Sequence, residues 1–70
     1  EIGSTFSEYL THIRIENAKA LLREQYNEGI KIYEVADAVG YKNQHYFSRV
    51  FKKEVGVSPK EFAMGDHGQD

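Results

Sequence analysis

Seventy residues, with nine Lys/Arg against eleven Asp/Glu, a formal net charge of −2 and no cysteine, make one small domain at most. That composition excludes a disulfide staple and a thiolate metal site, and it fits a reducing, cytoplasmic setting. No apolar run approaches the roughly 18 residues of a membrane span, and the opening residues lack the basic and apolar regions of a signal peptide, so no membrane partner is expected.

In chain order, the first periodic segment runs from Phe6 to Glu24. Phe6, Leu10, Ile13, Ile15, Ala18, Leu21 and Leu22 are read as one broad apolar arc of a long core-facing helix. Thr5 is its expected N-cap, with Glu8 completing a capping box. Gln25 to Gly29 is polar, ends in glycine and reads as a loop. Ile32, Val35, Ala36 and Val39 keep a spacing of three to four and predict a short helix stopped at Gly40, a suitable left-handed residue. Asn43 is placed to cap the next helix, about 44 to 55, in which Tyr46, Phe47, Val50, Phe51 and Val55 share a face. Gly56 ends that helix, and Ser58-Pro59 with Glu61 starts a short closing helix at about 59 to 64. Residues 65–70 lack periodicity and read as a disordered tail. No strand pattern competes, so the expected class is all-α.

Charge is distributed unevenly along this pattern. From Ala38 to Lys53 there is no acid, while Lys42, Arg49, Lys52 and Lys53 make the stretch +4. The rest holds five bases against eleven acids, a net −6. One basic helix on an acidic body fits a polyanion in a single orientation, and double-stranded DNA is the expected partner.

A helix-turn-helix needs a small residue where its helices cross, a glycine for the turn, and a second helix with a buried and a groove-facing side. Ala36 and Gly40 meet the first two demands, and the positions of Phe47 and Phe51 imply a slightly long turn. Gln44, His45 and Arg49 sit where a recognition helix reaches base edges, glutamine suiting adenine and arginine guanine. Lys42, Asn43, Ser48, Lys52 and Lys53 are placed for phosphates. The alternative is a helical protein-interaction module presenting the same basic face to an acidic partner, for instance a subunit of RNA polymerase.

An internal echo adds to this. Gly3 to Leu10 and Gly56 to Ala63 both read Gly-x-Ser/Thr-x-x-Glu-aromatic-apolar, at an offset of 53. Either generic capping chemistry repeats itself, or the chain opens at the tail of an earlier helix-turn-helix unit.

Arg14-Ile15-x-x-Ala18-x-x-Leu21-Leu22, Ile32-x-Glu34-Val35-Ala36-x-x-x-Gly40-Tyr41 and Tyr46-Phe47-Ser48-Arg49-x-Phe51-Lys52-Lys53-x-x-Gly56-x-Ser58-Pro59-x-Glu61-Phe62 together resemble the signature of the AraC/XylS family of bacterial transcription regulators, over about residues 3 to 62. The resemblance implies a DNA-binding domain with two helix-turn-helix units joined by a long linker helix. Residues 1–64 would be its C-terminal part: linker helix 6–24, a homeodomain-like helix-turn-helix core at 32–55, and the closing helix. The first unit, and a sensor or effector domain, would lie before Glu1. Three positions depart from the family pattern: Asn43 replaces an aspartate, His45 a commoner serine, and Ala63 an arginine.

Arg14 falls inside the apolar arc, where a charge needs a partner, so a structural ion pair with Glu34 or Asp37 is expected rather than a DNA contact. Tyr9, Tyr26, Tyr33 and Tyr41 read as core and rim aromatics. His12 and Glu16 lack a third ligand, so no metal is expected. Neither a nucleophile–base pair nor a phosphate-cradling glycine loop occurs, and the chain reads as a non-enzyme that needs no cofactor.

Overall fold

A computed structural model describes residues 5–65, and among them every regular element is helical. Helix α1 spans Phe6–Gln25 and runs into a 3-10 turn at Tyr26–Glu28. α2 is Ile32–Ala38, α3 is Gln44–Val55 and α4 is Pro59–Met64. The expected tail beyond Gly65 and the first two residues of the echo, Gly3-Ser4, lie outside the described residues.

Side chains fix the helix starts. Thr5 Oγ1 accepts the Glu8 N–H at 3.0 Å while Glu8 Oε1 accepts the Thr5 N–H at 3.1 Å. The same reciprocal pair forms between Ser58 and Glu61, with Pro59 in the first turn of α4. α2 borrows half of the device, its Glu34 Oε1 accepting the Lys31 N–H at 2.8 Å.

α1 touches each of the other three helices. The core consists of Ile15, Ala18 and Leu22 from α1, Val35 and Ala36 from α2, Val39 and Tyr41 from the turn, and Phe47 and Phe51 from α3. The single arc expected on α1 is in fact two stripes. Phe6 and Ile15 are nine residues apart, which at about 100° per residue sets them half a turn round the helix. Ile15 is buried, whereas Phe6, Tyr9 and Ile13 are exposed, Phe6 by 76%. The N-terminal half of α1 therefore carries a second apolar face that nothing among the described residues covers.

Four rings run through the core in a row. Tyr41–Phe47, Phe47–Phe51 and Phe51–Phe62 have centroids 5.6, 5.8 and 5.6 Å apart in tilted or edge-on arrangements, which suit the ring quadrupoles. An arginine of α1 closes each end: Arg14 lies over Tyr41 and Arg23 over Phe62, both with Cζ 5.3 Å from the ring centroid.

Candidate nucleic-acid interface

Five residues, Val39 to Asn43, separate α2 from α3, somewhat more than a minimal helix-turn-helix turn. Gly40 takes φ +103°, which lets its N–H donate to Asp37 O at 3.1 Å and the Tyr41 N–H to Ala36 O at 2.8 Å. This pair of hydrogen bonds is the Schellman closure, and it satisfies carbonyls that the end of α2 would otherwise leave open. The chain reverses within one residue, and Asn43 Oδ1 then accepts the Tyr46 N–H at 3.0 Å to start α3.

α3 is divided lengthwise. Phe47 and Phe51 are fully buried and anchor one side, with Val50 and Val55 partly buried beside them. Tyr46, expected on that buried face, is 57% exposed and leans against Tyr41 with ring centroids 5.8 Å apart. On the outward side His45, Arg49 and Lys52 follow one another at one-turn spacing, flanked by Ser48 and Lys53; all but the half-buried Ser48 are exposed. Lys42 and Asn43, also exposed, continue this surface into the turn.

The ion pair of the described residues, Lys19–Glu16 at 2.9 Å, lies on α1, where Lys19 pulls the Glu16 carboxyl below its ordinary range. No salt bridge among the described residues neutralises the cations of α3. The Glu61 carboxyl is also held low, first by the Ser58 N–H and hydroxyl and least by the charge of Lys52.

Two expectations change in three dimensions. Gln44 is exposed but shares a cleft with Tyr33, Glu34 and Asp37 of α2, about 100° round the helix from His45. The stretch that is acid-free in sequence is therefore bordered by two carboxylates at its N-terminal edge. Arg14 pairs with neither Glu34 nor Asp37: the Glu34 carboxylate caps its own helix, and the guanidinium lies instead against Gly40 and the Tyr41 ring. Its positive charge is stabilised by a π face, and the missing side chain of Gly40 makes the room. The tyrosines split likewise: Tyr41 is buried and Tyr26 half-buried, but Tyr9 and Tyr33 are exposed by 61% and 57%.

Sequence reasoning missed both arginine–aromatic contacts. Arg14 and Tyr41, like Arg23 and Phe62, are too distant in the chain for any periodicity to pair them.

Comparison with known proteins places this arrangement. A family model described as a helix-turn-helix domain matches residues 1–64. The HTH-type transcriptional regulator YijO of Escherichia coli (strain K12) is 42% identical over 64 residues, 91% of this chain and 22% of YijO. The HTH-type transcriptional activator RhaR of Cronobacter sakazakii is 40% identical over 60 residues, 86% of this chain and 20% of RhaR. The solved C-terminal domain of AraT, a response regulator from Geobacillus stearothermophilus, superposes with a TM-score of 0.81 at 41% identity, covering 100% of this chain and 55% of that one. The chain spans about a fifth of the length of these curated relatives. With the Schellman turn, the basic outer stripe of α3, the matched domain and these relatives together, the chain belongs to the AraC/XylS family of helix-turn-helix transcription regulators.

Proposed function

We propose that the chain binds double-stranded DNA sequence-specifically, with α3 in the major groove, as the C-terminal part of the DNA-binding domain of a cytoplasmic transcription regulator. One observation carries this reading: opposite the buried Phe47 and Phe51, α3 exposes the cations Arg49, Lys52 and Lys53, and no salt bridge among the described residues engages them. A helix anchored on one side and basic on the other is what a major groove accepts. Gln44, His45 and Arg49 read base edges, and Lys42, Asn43, Ser48, Lys52 and Lys53 hold phosphates on either side.

The second apolar face of α1, with Phe6, Tyr9 and Ile13 exposed, takes the other helix-turn-helix unit of the same protein. A sensor or effector domain and contact with RNA polymerase complete the whole regulator. Because one recognition helix reads one groove segment, the 70-residue chain alone binds weakly, at roughly the 10⁻⁴–10⁻⁶ M of nonspecific contact. A longer chain carrying the preceding unit gains affinity through a second segment about one helical turn away.

Arg49→Ala and Lys52→Ala, titrated on matched and scrambled duplexes, test the division of roles. Arg49→Ala should cost about 1–3 kcal/mol on matched DNA and relax preference at one base pair. Lys52→Ala should weaken both duplexes alike and lower the salt slope by about one unit. Identical behaviour of the two variants on both duplexes refutes the assignment.

A further inference from the structure

Between the N-terminal half of α1 and the turn runs a groove lined by Ser7, Thr11, Arg14, Lys42, Asn43 and Tyr46, among others, with no carboxylate in its wall. Arg14 lines it beside Gly40 and Tyr41. A Cβ built on Gly40 would stand 3.2 Å from Arg14 Nε, 3.4 Å from Cζ and 3.5 Å from Nη2, so the guanidinium passes close to the glycine, with Cζ 5.3 Å from the Tyr41 ring centroid. The contact with the Tyr41 ring uses none of its five N–H donors, and among the described residues no carboxylate or hydrogen-bond acceptor engages them. Those donors are open to an anion that enters the groove.

Asn43 sharpens the point. Its Oδ1 is taken by the Tyr46 N–H, which leaves its amide NH₂ to the groove. An aspartate here could cap α3 equally well but would place a negative charge in the same wall; asparagine caps without one.

The geometry points to an anion site in this groove, in which Arg14, Lys42 and the Asn43 amide bind a phosphate group, and we assign that group to the DNA backbone. The occupant follows from position. Lys42 and Asn43 directly precede α3, so once α3 lies in a major groove the turn borders the phosphates on that groove's edge. The assignment rests on the DNA-binding reading above, and it brings α1 into the interface, where only α3 and its turn were expected.

The test compares salt dependence for the unsubstituted chain, Arg14→Gln, Arg14→Lys, Asn43→Asp and the reference variant Lys52→Ala. Arg14→Gln should lower the log–log slope by about 0.9, the value of one phosphate contact, and Arg14→Lys should retain it. Asn43→Asp keeps an oxygen to cap α3, so it folds even if Arg14→Gln does not, and it should weaken matched and scrambled DNA alike, by roughly fivefold. Unchanged slopes for Arg14→Gln and unchanged affinity for Asn43→Asp, while Lys52→Ala still lowers the slope, overturn the groove and leave the α3 reading standing. If Lys52→Ala also has no effect, the α3 reading falls and this one with it. Inorganic phosphate added to the DNA-free chain, followed by the amide resonances of Tyr41 and Lys42, separates the two sources of the group. Weak, unsaturating shifts are expected; tight saturation that Arg14→Gln abolishes would make this a site for a free phosphate and overturn its assignment to DNA.

Discussion

Gly40→Ala probes the turn in two ways that the other glycines separate. Gly29 and Gly56, like Gly40, end short-range helical turns with φ near +100°, but a Cβ at either meets open space. Alanine there costs only its left-handed backbone, about 1–2 kcal/mol. At Gly40 the new methyl also stands 3.2 Å from Arg14 Nε, so the guanidinium must retreat by a few tenths of an ångström. Retreat loosens its stacking on Tyr41, a contact worth about 0.5–1 kcal/mol at a partly exposed site. Gly40→Ala should therefore destabilise by about 1.5–3 kcal/mol and Gly56→Ala by about 1–2. In a domain of this size each kcal/mol is about 4–8 °C in Tm, so the gap is measurable by circular dichroism on heating. Combining Gly40→Ala with Arg14→Ala should recover the excess, a coupling of about 0.5–1 kcal/mol. Equal losses at Gly40 and Gly56, or strict additivity in the double variant, would refute the claim that Gly40 is open for Arg14 as well as for the turn.

Phe51→Ala removes the ring that joins Phe47 to Phe62 in a fully buried position; the expected loss of about 3–5 kcal/mol approaches the whole stability of so small a domain, and far-ultraviolet dichroism should show it largely unfolded at 25 °C. Arg23→Ala, which loses the contact over Phe62 far from the turn, should lower Tm slightly and leave the DNA salt slope unchanged. The hydrogen bonds from Ser58 depress the Glu61 carboxyl, so the stability it contributes is present above its unfolded value and is lost as pH falls through the ordinary glutamate range and below. Glu61→Gln should flatten that part of the acid limb in melting curves taken at successive pH values.

The parts of this fold legible in sequence are those decided within a few residues. Thr5 with Glu8, Ser58 with Glu61, Asn43 with Tyr46, and Gly40 each act over three to five positions, and each sits where local chemistry puts it. Phe47 and Phe51 were legible as core because the acid-free basic residues occupy the other side of the same helix. Periodicity failed on α1 because it counts apolar positions without knowing how many partners the helix has. Phe6, Tyr9 and Ile13 recur at helical spacing as regularly as Ile15, Ala18 and Leu22, yet only the second set enters the core. Arg14 failed for a different reason. The rule that a charge within an apolar arc needs an opposite charge ignores the aromatic face, and the slot it occupies exists only because a glycine and a tyrosine meet at a turn remote in sequence.

The two arginines give α1 a further part to play. Arg14 and Arg23 are nine residues apart, two and a half turns or about 13 Å along the axis. Half a turn apart round α1, they reach opposite ends of the aromatic row, Arg14 at Tyr41 of the turn and Arg23 at Phe62 of α4. Together with the packing of α1 on α2, α3 and α4, these contacts tie the direction of α3 to the axis of α1. With 20 residues α1 is about 30 Å long, close to the roughly 34 Å that separates successive major-groove segments on one side of a duplex. On the reading proposed here, its second apolar face carries the other unit on the same rigid rod, about half a turn round. The distance and angle between two recognition helices would then be set by one helix and the side chains that lock it, with no flexible linker to be ordered on binding. That preorganisation reduces the entropy cost of engaging the second groove segment. It also accounts for α1 keeping apolar residues on two sides, a pattern that a helix packed against a single partner has no reason to retain.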